Sequence, residues 1–200
     1  MLQRSDLKLG DHEPLEYGPR EPAAPTTLAV CGEPYPSDAL RTARRSVRGT
    51  ASLSREMELR GTGRYGSVEE LVGVYRDGGA AQFLAELRDQ LRRCPGTPDE
   101  GWAQVGGGLG GDDSLLVRRT FQQARGGNPP TTMNQYVGVV RIGRVVVVLA
   151  SVGWEAPMGF EQIVRALAPT AVSARRAART GARPRRCRSG AAARSGCPDR

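Results

Sequence analysis

A run of five consecutive apolar residues, Val145–Leu149, most constrains the fold of this chain. Four of the five are valines, which favour strands, and a strand without polar positions needs cover on both of its faces. Gly143 separates residues 144–152 from another apolar stretch, residues 134–142, closely enough for a β-hairpin. The pattern predicts a sheet in which the 144–152 strand is central.

Three further segments are predicted as strands. Residues 51–59 alternate between apolar and polar side chains, as a half-buried strand does, and residues 114–123 are predicted as a strand after a glycine-rich loop. Residues 67–75 are ambiguous because their start also matches a helix capping box. Their valines, and the Asp-Gly-Gly sequence that soon follows, favour a strand.

Two main helices are predicted from apolar residues at helical spacing. The clearer one covers residues 80–94 and stops at Pro95-Gly96, and the second covers residues 159–168. A short helix is expected from Ser37 to Arg44. The order of elements predicts an α+β fold, an antiparallel sheet of about five strands with two main helices packed on one face.

The positive charge of the chain is concentrated at its C-terminal end. Residues 173–200 contain nine arginines and one aspartate, which accounts for the net charge of +8, so residues 1–172 are neutral. This segment is built almost wholly from Arg, Ala, Gly, Pro, Ser and Thr, which bury too little apolar surface to fold. We expect a disordered tail. It either binds nucleic acid or an anionic surface, or arises from translation of GC-rich DNA in an unintended frame.

Length and composition favour a single domain. The expected division is an irregular, Pro-rich lead-in over residues 1–36, one α+β domain over residues 37–172, and the tail. No apolar run approaches the roughly 20 residues of a membrane-spanning helix, and no secretory signal is recognised. Because the domain is neutral, we expect no nucleic-acid binding through it.

Two cysteines bear on the cellular compartment. Cys31 lies in the lead-in and Cys94 on the apolar side of the 80–94 helix, so a bridge between them would tie the N-terminal segment to the core. The alternative is two buried free thiols in a cytosolic protein. Cys187 and Cys197 lie in the tail. Because no C-x-x-C occurs, neither a zinc site nor a thioredoxin-like redox pair is predicted.

No catalytic residues, metal site or cofactor are predicted. The single histidine, His12, lies in the irregular lead-in, where no packing would orient it. The glycine-rich loop 106–111 lacks the lysine of a phosphate-binding loop and precedes a strand, so we interpret it as a connection. Asp112-Asp113-Ser114 has too few oxygens for calcium and is expected to be a turn that begins a strand. Glu69 and Glu70, as strand neighbours, point to opposite faces and cannot share a site.

Several segments resemble one known group of proteins. They are the run Tyr75–Arg88 with its closing Cys94-Pro95, the Gly111–Leu115 turn and the hairpin Val139–Val147. They resemble actinobacterial secreted or lipoprotein sensor-like domains, which are distantly similar to the extracellular domain of PknH-type receptor kinases. The resemblance covers roughly residues 37–168. It implies a disulfide-tied α+β domain outside the membrane with a cleft for an unidentified ligand.

The chain departs from that family in two respects. It has no signal sequence or lipoprotein box, and it ends in the arginine-rich tail. Residues 1–7 look like the interior of a mature domain, so a start codon assigned too far downstream would explain the missing signal.

The leading hypothesis is a non-enzymatic sensor-like or ligand-binding domain of the cell envelope or the secreted fraction. Its partner would be an unknown small molecule, lipid or envelope component. Trp102 and Trp154, near strand ends, are candidates to line a cleft, with core or rim packing as the alternative. The other hypotheses are a cytosolic interaction protein and a tail-mediated binder of nucleic acid or anionic surfaces. A small hydrolase using carboxylates such as Glu155 or Asp113 would need an acidic cluster that the sequence does not show.

Overall fold

The protein forms a six-stranded sheet and two α-helices in a computed structural model that describes residues 28, 30–52, 65–97, 100–124, 127–152 and 161–180. The strands are β1 (Arg41–Ser52), β2 (Tyr65–Tyr75), β3 (Gly101–Gly106), β4 (Asp113–Gln123), β5 (Thr131–Ile142) and β6 (Val145–Val152). The helices are α1 (Gly79–Arg93) and α2 (Glu161–Thr180), and a 3-10 turn covers Pro36–Leu40. The predicted α+β class is confirmed.

The sheet is antiparallel throughout, with the strand order β1-β2-β6-β5-β4-β3. β6 pairs with β2 on one side and β5 on the other, and residues 146–150 are all buried, which confirms the predicted central strand. The sheet has six strands where about five were expected, because Gly101–Gly106 is also a strand. This segment is short, has glycine at both ends and lies at the sheet edge, so its sequence gives little strand signal.

The two helices lie on opposite faces of the sheet, whereas the sequence placed both on one face. Leu84 and Leu87 of α1 pack in one core with Val148. Val164 and Leu167 of α2 pack in a second core on the other face. The prediction was wrong because β6 is apolar on both of its faces, and each apolar face needs its own cover.

The structure confirms both the clearest predicted helix and the strand interpretation of residues 67–75. α1 buries its apolar stripe, and β2 covers residues 65–75. Between them the chain turns through Asp77 and Gly78, whose φ angles are 49° and 79°. The predicted Asp-Gly-Gly break is therefore a left-handed turn, a conformation in which glycine is free of the usual steric cost.

α2 is longer than the predicted 159–168 helix and continues through Pro169 to Thr180. Ala171 and Val172 are buried, so the apolar side of the helix extends past the proline. Residues 173–180, which the sequence placed in the disordered tail, are helical. The rest of the tail, residues 181–200, lies outside the described residues.

The region before β2 also differs from the prediction. The helix expected over residues 37–44 is limited to the 3-10 turn, and β1 begins at Arg41 because it pairs along its length with β2. The strand expected over residues 51–59 overlaps β1 at residues 51–52, and residues 53–59 lie outside the described residues. Long-range pairing, rather than local pattern, decides where this strand lies.

Candidate functional site

A group of polar side chains lies beside α2 on the same face of the sheet. β4 and β5 stay paired as far as Gln123 and Thr131, whereas the pairing of β5 with β6 ends at Val137 and Ala150. On the α2 side, the side chains around this extension change from apolar to polar. We call this group the polar shelf. It consists of Arg118, Thr120, Asn134, Tyr136 and Ser151.

Close contact between α2 and the sheet sets one border of the polar shelf. Val164 of α2 packs on Gly138 of β5, and Leu116, which pairs with Gly138, is fully buried in the same core. Arg118 and Tyr136 are the next residues on that face, about 7 Å farther along the strands. Both are half-buried. Cover by the described residues of α2 therefore weakens where the polar shelf begins.

Hydrogen bonds hold the polar shelf together. The Ser151 hydroxyl accepts from the Tyr136 backbone N–H at 3.2 Å and donates to the Tyr136 carbonyl at 3.3 Å, just past the last paired residues of β5 and β6. This explains why a serine is 1% exposed at the end of an apolar strand. Thr120 donates to Asn134 Oδ1 at 3.1 Å across β4 and β5. The polar shelf is thus part of the rigid sheet.

Arg118 is the charged member of the polar shelf, and it lies directly opposite Tyr136 in the β4–β5 pairing. Its Nε is buried and has no hydrogen-bond acceptor among the described residues. No described carboxylate forms an ion pair with it. By contrast, the half-buried Arg88 donates two hydrogen bonds to Asp113, at 2.9 Å and 2.6 Å.

A second arginine stands at the α2 border of the polar shelf. Arg165 pairs with Glu161, one turn earlier in α2, at 2.6 Å. Its guanidinium also donates to the Gly107 carbonyl at 3.4 Å and lies beside Gly106, which pairs with Leu116. The polar shelf can therefore recognise an anion through Arg118, with Arg165 at its edge.

Trp102, a predicted cleft residue, lies on the opposite face from the polar shelf. It is 7% exposed and belongs to the α1 core. The Arg119 guanidinium lies 5.5 Å from the Trp102 ring centroid and 5.2 Å from that of Phe121, as in cation–π pairs. Core packing, the alternative that the sequence left open, describes Trp102 here, and its ligand-binding role stays a prediction. Trp154 lies outside the described residues.

Cys31 and Cys94 lie at disulfide distance, with their Cα atoms 5.6 Å apart, as predicted. The pair joins the end of α1 to residues 30–40, which we call the strap. Tyr35 of the strap packs on Phe83 with 4.8 Å between ring centroids, and its hydroxyl donates to the Leu28 carbonyl at 2.6 Å. Burial raises the pKa of the Tyr35 phenol well above its usual range. The strap is therefore a packed part of the domain.

Asp112 and Asp113, two acidic residues of the candidate turn, form contacts that stabilise the fold in the described structure. The Asp112 carboxylate accepts the Gly143 N–H, and Asp113 begins β4 beside Arg88, which holds the pKa of its carboxyl below the usual range. The Ser114 hydroxyl accepts the Leu109 N–H at 3.0 Å. Residues 112–114 thus lead into β4 as expected, although Asp113 and Ser114 already belong to the strand. Glu70 is 1% exposed on the α2 side, with Arg175 at 4.0 Å.

The described ranges contain neither a metal site nor a membrane-spanning helix. No group of three or more His, Cys, Asp or Glu side chains there is arranged to hold a metal ion. None of the described helices is both long enough and apolar enough to cross a membrane. His12 and Glu155 lie outside these ranges. No protein family, curated protein or solved structure matches the chain.

Proposed function

We propose that this protein is a non-enzymatic, sensor-like domain of the cell envelope or the secreted fraction that binds a ligand at the polar shelf. The observation that carries the proposal is the half-buried Arg118, which has no anionic partner among the described residues, on the polar surface beside α2. Binding sites hold a few polar groups at fixed positions, and strand pairing fixes the positions of the polar groups of the shelf.

The cysteine pair supports a location outside the cytoplasm. Disulfides persist in oxidising compartments and are rare in the cytosol, where thiols are kept reduced. Cys31 and Cys94 join segments 63 residues apart, and the strap packs against α1 around them. The proposal also agrees with the resemblance to sensor-like domains similar to the extracellular part of PknH-type receptor kinases.

Export is tested by non-reducing peptide mapping of the protein made in its own host, with cell fractions kept apart. We expect a linked Cys31–Cys94 peptide from the envelope or the culture medium. Free thiols at both positions, found only in the cytosolic fraction, would contradict export and leave the cytosolic interaction protein as the better hypothesis.

Ligand binding is tested by a thermal-shift screen of the full chain against envelope lipids, glycans and small phosphorylated compounds. A ligand that binds only the folded state raises the midpoint of unfolding, and the stabilisation grows with the logarithm of the ratio of ligand concentration to Kd once the site is saturated. We expect at least one compound class to stabilise the protein. If no compound does so at millimolar concentration, the ligand-binding function is wrong and a purely structural role is favoured.

A further inference from the structure

We propose that the polar shelf binds the phosphate group of its ligand and that Arg118 is the residue that recognises it. This inference rests on the ligand-binding function proposed above and adds the chemical class of the ligand. A free phosphorylated small molecule and a phospholipid headgroup share this chemistry, and the experiment below separates them.

Arg118 carries a positive charge that the described part of the fold does not neutralise. The guanidinium stays charged at any physiological pH, and partial burial of a charge without a partner is unfavourable. Two other half-buried arginines face carboxylates, since Arg88 bonds to Asp113 and Arg141 lies 3.6 Å from Asp112, although the Arg141 Nε, like that of Arg118, has no acceptor among the described residues. An anion bound at the polar shelf would provide the missing opposite charge.

Packing orients the Arg118 guanidinium. Its Nε atom is buried, whereas the terminal nitrogens are not among the buried, unpartnered atoms of the described residues and the residue as a whole is only half-buried. The two terminal nitrogens therefore remain as donors for a ligand. Their planar arrangement matches two oxygens of a phosphate, and a guanidinium held in place loses less entropy on binding.

The neighbours of Arg118 are polar groups suited to a phosphate ester. Tyr136 is its cross-strand partner, and side chains paired in this way have Cβ atoms about 5 Å apart. Thr120 and Asn134 form the next pair on the same face and are already hydrogen-bonded to each other. The Tyr136 phenol can donate to or accept from the rest of a polar ligand, and the Thr120–Asn134 pair keeps the surface beside it polar.

Arg165 at the α2 border favours a phosphate monoester over a carboxylate. A phosphate monoester carries between one and two negative charges near pH 7, whereas a carboxylate, like the phosphodiester of a phosphatidylglycerol headgroup, carries one. Arg165 is 42% exposed and paired with Glu161, and it lies beside Gly106, whose partner Leu116 is two residues before Arg118 in β4, so its guanidinium can contribute a second positive charge only if a ligand displaces Glu161. Recognition depends mainly on Arg118, and Arg165 strengthens it.

The test compares Arg118→Gln with Arg119→Gln in the full chain. Both substitutions remove one positive charge from the same strand, but Arg119 lies on the opposite face of the sheet, against Trp102 and Phe121. Both variants keep the arginine-rich C-terminal segment, so its nonspecific attraction for anions is the same in each. Calorimetric titrations use inorganic phosphate, glycerol 3-phosphate and sodium acetate. Sedimentation uses phosphatidylcholine vesicles with and without phosphatidylglycerol.

We expect Arg118→Gln to weaken binding of a phosphate probe about tenfold and Arg119→Gln to leave it unchanged within about twofold. If Arg118→Gln loses binding of glycerol 3-phosphate, the ligand is a soluble phosphorylated compound. If Arg118→Gln loses binding only to vesicles that contain phosphatidylglycerol, the ligand is a lipid headgroup. Equal effects of the two substitutions, tighter binding of acetate than of phosphate, or no binding of any probe would overturn the inference. If a neutral glycan stabilises both variants equally, the ligand-binding function stands and the phosphate assignment is wrong.

Discussion

Val164 of α2 lies directly against Gly138 of β5. A Cβ atom built on Gly138 would lie 2.5 Å from Val164 Cγ1 and 2.9 Å from Leu109 Cδ1, closer than real Cβ contacts allow. The glycine therefore lets α2 approach the middle of the sheet. This contact also places the border between the apolar core and the polar shelf.

Replacing Gly138 with alanine should destabilise the protein by about 1–3 kcal/mol, because the added methyl group overpacks a core made of branched side chains. Urea denaturation of the wild type and the variant gives the difference in unfolding free energy. Gly106→Ala is the matched control, since its Cβ would meet the flexible end of Arg165 at 3.1 Å. If Gly106→Ala lowers the free energy of unfolding as much as Gly138→Ala does, close packing of α2 on Gly138 does not explain the effect.

Breaking the Cys31–Cys94 bridge should reduce the free energy of unfolding by up to about 4 kcal/mol, because the bridge closes a long loop in the unfolded chain. The comparison uses Cys31→Ser/Cys94→Ser in a background in which Cys187 and Cys197 are also serine. A reducing agent should destabilise the background protein to the same extent and have no effect on the double variant. If reduction changes neither protein, the two cysteines are not bridged in solution.

Arg88→Gln should destabilise the protein at neutral pH and lose this effect in acid. Hydrogen bonding to Arg88 holds the pKa of Asp113 in the folded protein below its value in the unfolded chain. The interaction therefore stabilises the fold fully at pH values above the unfolded-state pKa, and this stabilisation is lost as the pH falls through the folded-state pKa. Both side chains are about one-third exposed, which limits the effect at pH 7 to about 1 kcal/mol.

Urea titrations of both proteins between pH 7 and the lowest pH at which they fold measure this dependence. Arg76→Gln is the control, because its pair with Asp77 is 63% and 78% exposed and 3.8 Å long. If the difference in unfolding free energy between the wild type and Arg88→Gln stays constant down to pH 3, the Asp113 carboxylate is not its source.

Ser37→Ala should cost about 1–2 kcal/mol, because it removes a hydrogen bond from a fully buried hydroxyl to a carboxylate. Ser37 donates both its hydroxyl, at 2.6 Å, and its backbone N–H to Glu86 of α1, which ties the strap to the helix. Hydrogen exchange of residues 30–40 should increase together with the loss of stability. Thr42→Ala is the control, because it removes an exposed hydrogen bond from the Thr42 hydroxyl to the Val74 carbonyl. This variant should leave the amides of residues 30–40 protected from exchange.

The parts of the fold with strong local patterns were predicted correctly. α1 has a clear helical periodicity, β6 is a short apolar run made mostly of valine, and β2 was distinguished from a helix by its β-branched residues. β3 was missed because two of its six residues are glycine and it has a neighbour on one side only. The extension of α2 past Pro169 was missed because an interior proline normally ends a helix, whereas here burial of Ala171 and Val172 continues it.

The candidate site was not predicted, because its members come from three strands. Arg118, Tyr136 and Ser151 are spread over more than 30 positions in sequence and share no motif. The cysteine pair was predicted because one member lies on the apolar stripe of α1 and the other in the segment before the domain. Trp102 was selected as an aromatic residue near a strand end. In the structure β3 pairs with β4, and the Trp102 side chain packs in the α1 core.

The sequence by itself determined the α+β class, the central strand, the main helix and the concentration of charge at the C-terminal end, because these follow from local periodicity and composition. Only the tertiary structure decided that the helices cover opposite faces, that cover by the described residues of α2 weakens at the polar shelf, and that Arg118 and Arg119 face opposite sides. Those features depend on strand register and on close contacts such as that between Gly138 and Val164. Such contacts join residues far apart in the chain, and no local pattern records them.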